Sequence, residues 1–414
     1  MKKRIEIDKN ELNSNKNGRF KMQYREDKIS GNKLSILGLG CMRFSRNAGE
    51  TEQMILTAID NGVNYFDTAY IYPNSEETLG KILAKHKKRG QVFIATKLPL
   101  IMCKKPDDFD KFFNKELERL QTDYIDYYLM HMITDTVQWE QFLEWGIEQW
   151  IDEKKKQGKI KQAGFSFHGS GVEFLKILEM RKWDFCQIQY NYSNENFQAG
   201  KEGLKAAAKK QIPVIIMEPL LGGKLATGLP KEAVGVFAEA DSSLTPAAWG
   251  LRWLWNQDEV TCVLSGMNTV TQMEENIRSA NDFRPLTGAE IEAYNKVTGI
   301  FNSAYKINCT GCNYCMPCPK NINIPGCFAS YNASFVQNFT VGMHQYITST
   351  AIVSRTPRSP RICVECGKCE GHCPQHLPVR KLLKQVAGRM EPLPLRFVLC
   401  IVRCFLPKAK KRSG

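Results

Sequence analysis

Short runs of β-branched and apolar residues alternate with amphipathic helical stretches from about residue 35 to residue 283. Gly, Pro or Asn residues separate each run from the next, as is typical of strands and helices joined by short loops. The chain contains eight such strand–helix pairs. The predicted strands are Ser35–Leu39, Tyr65–Thr68, Val92–Lys97, Tyr124–Met130, Ile160–Phe165, Phe185–Gln189, Val214–Met217 and Thr261–Leu264. One continuous helix is predicted for 141–157.

These strands are continuous apolar runs, which indicates burial on both faces and hence a parallel sheet covered by helices. Eight strand–helix units over roughly 250 residues match the TIM (β/α)8 barrel. After residue 290 the pattern changes to two cysteine-rich stretches, Asn308–Cys318 and Arg361–Cys373, with a loosely helical segment between them. The sequence therefore predicts an α/β fold, a TIM barrel followed by a small, mainly helical domain that depends on metal more than on a large core.

The charge of the chain is concentrated at its two ends. Of 414 residues, 43% are hydrophobic and 24% are charged, and the net charge is +14. Residues 1–33 carry 10 basic and 5 acidic side chains, and residues 380–414 carry 10 basic and 1 acidic. The composition excludes a disordered chain. The chain also has no uninterrupted run of roughly 18 apolar residues, the length that could span a bilayer. Because the middle of the chain is neutral, the charge indicates docking and argues against nucleic-acid binding.

Eleven of the fifteen cysteines fall between Cys309 and Cys404. The first residues lack the apolar core of a secretory signal, so we expect a cytoplasmic protein in a reducing environment. In that compartment clustered cysteines indicate metal ligands more often than disulfides.

The second cysteine segment, Cys363–Cys373, has the gaps of two, two and three residues and the following proline of a ferredoxin. The first segment, Cys309–Cys318, differs in its last gap, which is two residues. We predict two [4Fe–4S] clusters. By analogy with ferredoxins, one cluster takes Cys309, Cys312, Cys315 and Cys373, and the other takes Cys363, Cys366, Cys369 and Cys318. A single cluster or two zinc sites are the alternatives.

Four polar residues close or follow successive predicted strands, where the active sites of TIM barrels lie. They are Asp67 and Tyr72 after the second strand, Lys97 at the end of the third and His131 at the end of the fourth. Reduction of a carbonyl by hydride needs an acid for the developing alkoxide. A cationic lysine lowers the pKa of a nearby phenol, a carboxylate can hold that lysine, and a histidine can donate to the carbonyl oxygen. We therefore predict Tyr72 as the general acid, with a pKa lowered by Lys97.

This quartet resembles the catalytic tetrad of the aldo/keto reductases. The resemblance extends over Met22 to Phe283 and includes LGLGCMRF at Leu37, QGKIKQAGFSFH at Gln157, QIQYN at Gln187 and EPLLGGKL at Glu218. The cysteine-rich end narrows it to aldo/keto reductases fused to a ferredoxin-like domain. It implies four segments: a basic N-terminal extension (1–21), the barrel (22–290), a 4Fe-4S domain (291–390) and a basic, apolar tail (391–414).

The resemblance also implies a set of NAD(P)H contacts. Ser166 and Gln189 would hold the nicotinamide carboxamide, and the backbone of 220–223 would approach the pyrophosphate. The implied cofactor-binding residues are Ser166, Gln189, Leu220, Gly222, Gly223, Ser265, Gly266, Glu275 and Asn276. Two departures from the family pattern weaken the dinucleotide assignment: Met217-Glu218 replaces an aromatic ring, and no Lys or Arg occurs from Gly266 to Gln272. The second departure argues against a preference for NADP, whose phosphate usually pairs with Arg or Lys.

The combination of a hydride cofactor with one-electron clusters leaves open a cofactor-sensing or docking subunit without turnover and, ahead of it, two other hypotheses. The first is a reductase that interconverts a small carbonyl compound and an alcohol, with clusters that exchange electrons with a redox protein such as ferredoxin. The second is an iron–sulfur electron-transfer protein whose barrel binds a flavin or another ligand. The apolar, basic tail suggests either contact with an anionic membrane surface, docking of an acidic partner, or a packed terminal helix.

Overall fold

The computed structural model describes residues 21–352 and 357–405. The predicted N-terminal extension up to residue 20 and the basic end of the tail after residue 405 therefore lie outside the described residues. The first element is an antiparallel hairpin of β1 (Tyr24–Glu26) and β2 (Lys33–Ser35), in which Tyr24 pairs with Ser35.

Eight parallel strands form a closed barrel in the order β10-β3-β4-β5-β6-β7-β8-β9. Their bounds are β3 (Leu37–Gly40), β4 (Tyr65–Asp67), β5 (Phe93–Leu98), β6 (Ile125–Ile133), β7 (Ile160–Phe167), β8 (Phe185–Gln189), β9 (Val214–Met217) and β10 (Val260–Ser265). The barrel closes where Leu264 of β10 pairs with Gly38 of β3. The predicted fold class is confirmed, because apolar runs buried on both faces require this arrangement.

Aromatic side chains fill the barrel interior below its carboxyl-terminal mouth. Tyr127 packs against Tyr65 and Phe185, with ring centroids 5.1 and 5.0 Å apart, respectively. Its hydroxyl group donates to Asp27 in the turn of the hairpin at 2.8 Å. The hairpin therefore covers the opposite end of the barrel.

Helices surround the barrel and continue into the second domain. They are α1 (Ala48–Asp60), α2 (Ser75–Lys85), α3 (Asp108–Leu120), α4 (Thr136–Glu144), α5 (Ile147–Lys156), α6 (Gly171–Met180), α7 (Gly200–Lys209), α8 (Lys231–Ala240), α9 (Pro246–Trp255), α10 (Val270–Asn281), α11 (Gly288–Ala304), α12 (Ile324–Val336), α13 (Phe339–Thr350), α14 (Lys368–Gly371), α15 (Val379–Met390) and α16 (Leu393–Phe405). The prediction of one helix over 141–157 is wrong. Gly146 has a φ of 76°, which ends α4 and starts α5 in a new direction.

The boundary predicted at residue 290 falls inside α11. This helix begins with a capping box at Thr287 and Glu290, and its Tyr294 hydroxyl donates to the Trp249 carbonyl oxygen at 2.7 Å. Its apolar face packs on α8 and α9, so it belongs to the barrel body. We propose a boundary after Ala304 in place of residue 290.

The second domain has its own small core. Apolar side chains of α12, α13, α15 and α16 meet there, and Tyr346 and Ser359 both donate to the buried Glu391 carboxylate. The mainly helical character predicted between the cysteine segments is thus confirmed. None of the helices within 21–352 and 357–405 is both long and apolar enough to cross a membrane.

Candidate active site

The four predicted catalytic residues meet at the mouth of the barrel. Asp67 ends β4, Lys97 lies near the end of β5, His131 lies near the end of β6, and Tyr72 follows in the loop before α2. All four line one cavity of about 670 Å³. Parallel strands bring them together because their carboxyl ends point to the same side of the barrel.

Lys97 uses all of its donors on the barrel itself. Its Nζ lies 2.7 Å from both Asp67 carboxylate oxygens and 2.7 Å from the Thr68 carbonyl oxygen. Gln187 donates to the same carboxylate at 2.9 Å. The side chains of Lys97 and Asp67 are 1% and 6% exposed. An ammonium group has three protons, so none is left for the Tyr72 hydroxyl in this arrangement.

Tyr72 is held between Lys97 and His131. The Lys97 Nζ lies 5.3 Å from the centre of the Tyr72 ring, and the His131 ring meets it edge-on at 6.2 Å. Burial raises the pKa of Tyr72 well above its ordinary value, and the nearby Tyr314 raises it further. Burial therefore outweighs any lowering of this pKa by Lys97, whose charge is paired with Asp67, and the role of Lys97 stays a prediction.

His131 and His168 are both buried in the cavity wall and both disfavour protonation. Burial, with the nearby Lys97 and His168, holds the pKa of His131 well below its ordinary value. Burial, with the nearby His376, lowers the pKa of His168 to about 4. Both imidazoles are thus neutral at pH 7, and a neutral ring can donate one N–H to a bound oxygen.

A pH-dependent stability follows from His168. Its folded pKa of about 4 lies below the ordinary value of about 6.5, so between these values the unfolded chain binds more protons. Stability is therefore expected to fall as the pH drops through this window. In His168→Asn the fall should be shallower, by up to about 1.4 kcal/mol per pH unit.

The measurement is urea unfolding at several pH values from about 7.5 to about 5. His344→Asn, which changes an exposed histidine of α13, is the control and should retain the wild-type profile. Parallel profiles for the wild type and His168→Asn would contradict the expectation.

Most of the predicted cofactor contacts line the same cavity. These are Ser166, Leu220, Gly222, Gly223, Ser265, Gly266, Glu275 and Asn276. Gln189 is the exception: it is buried, and neither of its amide atoms has a partner among the described residues, but it does not line the cavity. Gln187, one inward-facing position earlier on β8, lines it instead. Sequence reasoning missed Gln187, although QIQYN contains both glutamines at the same strand parity.

Glu218 belongs to the Met217-Glu218 pair that departs from the family pattern. It follows β9 with a φ of 53° and lines the cavity. Burial raises the pKa of its carboxyl group to about 7, against the opposing effect of Arg43 and Lys224. Its Oε2 accepts from Gln375 Nε2 at 3.3 Å. A carboxyl group therefore stands at this position of the cavity in place of a stacking ring.

The first cysteine segment forms one wall of the barrel cavity. Cys312 and Tyr314 line it together with the four catalytic candidates. The Thr310 carbonyl oxygen packs so closely on Gly222 that a Cβ there would come within 2.3 Å of it. Lys224 Nζ donates to the Ile307 carbonyl oxygen at 3.1 Å. The sequence carries no signal for this docking, because the two segments are far apart in the chain.

The eight clustered cysteines border two cavities. Cys309, Cys312, Cys315 and Cys373 line one, and Cys318, Cys363, Cys366 and Cys369 line the other, which Cys315 also borders. This division follows the ligand exchange implied by the ferredoxin analogy. Within the described ranges, no three Cys, His, Asp or Glu side chains form a site for a single metal ion.

The two cysteine segments share one backbone feature, an amide that donates to a cysteine sulfur. This feature fits a cluster bound by thiolates. Gly311 N–H donates to Cys309 Sγ and Glu365 N–H donates to Cys363 Sγ, both at 3.4 Å. These two donors have φ values of 69° and 55°. Amide donors directed at cysteine sulfur are one means by which proteins tune iron–sulfur clusters.

Comparison with known proteins assigns two parts of the chain. Residues 36–298 match the Aldo/keto reductase family, and residues 308–377 match the 4Fe-4S dicluster domain. The chain is 28% identical to the uncharacterized oxidoreductase YqkF of Bacillus subtilis, over 63% of this chain and 91% of that protein. It is 27% identical to the L-glyceraldehyde 3-phosphate reductase of Escherichia coli, over 63% of this chain and 88% of that protein.

A solved structure shares the barrel fold. It is the aldo-keto reductase AKR11C1 from Bacillus halodurans in its holo form, with a TM-score of 0.55 and 23% sequence identity, over 67% of this chain and 96% of that chain. At this identity the likeness concerns the fold alone.

Proposed function

The chain belongs to the aldo/keto reductase family, and we propose that its barrel interconverts a small carbonyl compound and the corresponding alcohol with a nicotinamide cofactor. The proposal depends on one observation, the single cavity lined by Asp67, Tyr72, Lys97 and His131. The residues present suit the cofactor, because the same cavity has a glycine-containing loop at Gly222–Gly223 and the polar side chains of Ser166 and Gln187. A bound nicotinamide would supply or accept the hydride.

The proposed roles follow from the contacts. Tyr72 keeps its proton at neutral pH, because its pKa is raised, and donates it to the developing alkoxide. Neutral His131 donates an N–H to the same oxygen and orients it. Lys97 and Asp67 form a buried pair beside the Tyr72 ring and help to hold it in position. Ser166 accepts from Met132 N–H at 2.9 Å, so its own hydroxyl proton is free for an amide acceptor.

The test is turnover of a panel of small aldehydes and ketones with NADH and with NADPH. We expect NADH to be preferred, because Glu275 lines the cavity at the end that would hold the adenosine, and a carboxylate pairs with a ribose hydroxyl and repels a phosphate. If the protein binds neither NADH nor NADPH, the proposed barrel function is wrong.

A flavin-binding electron-transfer protein is the second candidate. The observation in its favour is the cavity wall at Met217 and Glu218, where no aromatic ring is available to stack on a nicotinamide. The colour is informative in a variant that lacks the clusters. A yellow chromophore that copurifies with this variant would favour the flavin candidate, and a colourless variant would favour the reductase.

The chain carries a 4Fe-4S domain, and we propose that its two cysteine quartets each hold one [4Fe–4S] cluster, which would pass one electron at a time. Anaerobically purified protein is then expected to contain about eight irons per chain. The double variant Cys312→Ser/Cys315→Ser should contain about four, since the exchange of ligands leaves the second quartet complete. Cys103→Ser, in the barrel, is the control. Zinc in place of iron, or about four irons in the wild type, would contradict the proposal.

A redox partner is proposed to dock near the carboxyl-terminal end. The side chains of Leu393, Phe397 and Val398 are exposed on α16, beside Arg396, whereas Leu399 packs into the small domain. The exposed apolar face, with the positive charge of this end of the chain, suits an acidic protein such as ferredoxin or an anionic membrane surface.

A further inference from the structure

Tyr314 connects the cysteine-rich domain to the reacting end of the barrel. It lies between Cys312 and Cys315 in the sequence, and its side chain reaches into the cavity that contains Asp67 and Tyr72. Its hydroxyl group interacts with that of Tyr72, which is 242 positions earlier in the chain. The same short segment thus supplies proposed cluster ligands and a wall of the catalytic cavity.

Both stretches that carry the first quartet contact the barrel, one just before Tyr314 and the other just after Cys373. Before Tyr314, the Thr310 carbonyl oxygen rests on Gly222 and accepts from Arg43 Nη2 at 3.4 Å. In the second cysteine segment, next to Cys373, the Pro374 carbonyl oxygen accepts from Gln198 Nε2 at 2.7 Å. The two stretches that carry the first quartet are therefore both held against the barrel.

The second quartet lacks this connection. Every residue that lines its cavity belongs to the segment from Cys315 to Leu383, and none comes from the barrel. Val364, next to Cys363, is 57% exposed. A ligand in the barrel cavity can therefore act on the first quartet without acting on the second.

We propose that Tyr314 is a positioning residue that couples occupancy of the barrel cavity to the redox state of the first cluster. The proposal rests on the proposed function, since it assumes a nicotinamide nucleotide in the cavity and a cluster on Cys309, Cys312, Cys315 and Cys373. A bound nucleotide excludes water from the cavity wall at Tyr314, beside Cys312, and this disfavours an additional negative charge on the neighbouring cluster. Without the Tyr314 ring, water can remain at that wall, so the effect depends on the ring.

Thermodynamic reciprocity relates the shift in midpoint potential to the difference in nucleotide affinity between the oxidised and the reduced protein. If the nucleotide binds the reduced protein tenfold more weakly than the oxidised protein, its binding lowers the midpoint potential of that cluster by about 59 mV. The potential of the second cluster should stay the same, because its cavity has no barrel residue.

The experiment is a redox titration of the full chain followed by electron paramagnetic resonance, with and without tetrahydro-NADH or tetrahydro-NADPH. These analogues neither donate nor accept a hydride, so they occupy the cavity without turnover. Binding is measured separately by calorimetry on the oxidised protein. We expect a negative shift for one cluster in the wild type and in the control Val364→Ala.

In Tyr314→Ala the affinity ratio should fall from about ten to about one, so that the shift disappears. It should persist in Tyr314→Phe, which keeps the ring in the cavity. Nucleotide binding without a shift in the wild type overturns the coupling and leaves the proposed function intact. Absence of nucleotide binding overturns both. A shift that survives in Tyr314→Ala, or equal shifts of both clusters, also overturns the proposal.

Discussion

Replacement of Tyr72 by phenylalanine is expected to lower kcat for carbonyl reduction by about 10²–10⁴-fold, the usual contribution of a positioned general acid. The substitution removes one hydroxyl group and leaves a ring of the same shape between Lys97 and His131. Nucleotide affinity should therefore remain within about twofold of the wild type, since Tyr72 is needed for proton transfer and not for cofactor binding. The measurement is steady-state reduction of a small aldehyde, with binding measured in parallel.

Tyr70→Phe is the matched control. Tyr70 lies two positions earlier, packs against Phe112 with ring centroids 4.9 Å apart, and does not line the cavity. Its kcat should be that of the wild type. Undiminished turnover in Tyr72→Phe, with Tyr70→Phe equally active, would remove Tyr72 from the reaction and favour the electron-transfer alternative.

Replacement of Lys97 by methionine is expected to destabilise the barrel by about 3–5 kcal/mol and to abolish turnover. The substitution leaves the Asp67 carboxylate buried without its cation, and an uncompensated buried charge costs this much. Among the described side chains, Gln187, at 2.9 Å, would remain as the donor to it. The free energy of unfolding, from urea titration of the barrel signal, measures the loss.

Two further variants separate the charge effect from the effect of packing. The double variant Asp67→Asn/Lys97→Met removes both charges, so it should recover most of the lost stability while it remains inactive. Lys88→Met breaks the more exposed pair with Asp60, which is 2.9 Å long, and should cost less than about 1 kcal/mol. Equal losses for Lys97→Met and the double variant would contradict the argument from buried charge.

The repeating elements of the fold could be predicted from the pattern of apolar and polar residues. A parallel barrel needs a repeated strand of apolar residues, and this period places Asp67, Lys97 and His131 at one mouth by geometry alone. The short connection over 145–146 was not accessible, because the positive φ of Gly146 interrupts a helical pattern that would otherwise continue. Gln187 was missed because two glutamines on β8 share the same parity, and only the depth of the cavity distinguishes them.

The spacing of residues along the chain is enough to predict the (β/α)8 barrel, the residues that close its mouth and the eight cysteines of the two ferredoxin-type segments. Each of these follows from a pattern within a short stretch of chain. Two facts appear only in the folded chain: Lys97 donates to Asp67 and Thr68, and Tyr314 enters the cavity beside Tyr72. They depend on which acceptors lie within reach of the lysine and on how the cysteine-rich segment packs against the barrel. Such contacts have no period in the sequence, since they are selected by shape and burial between residues far apart in the chain.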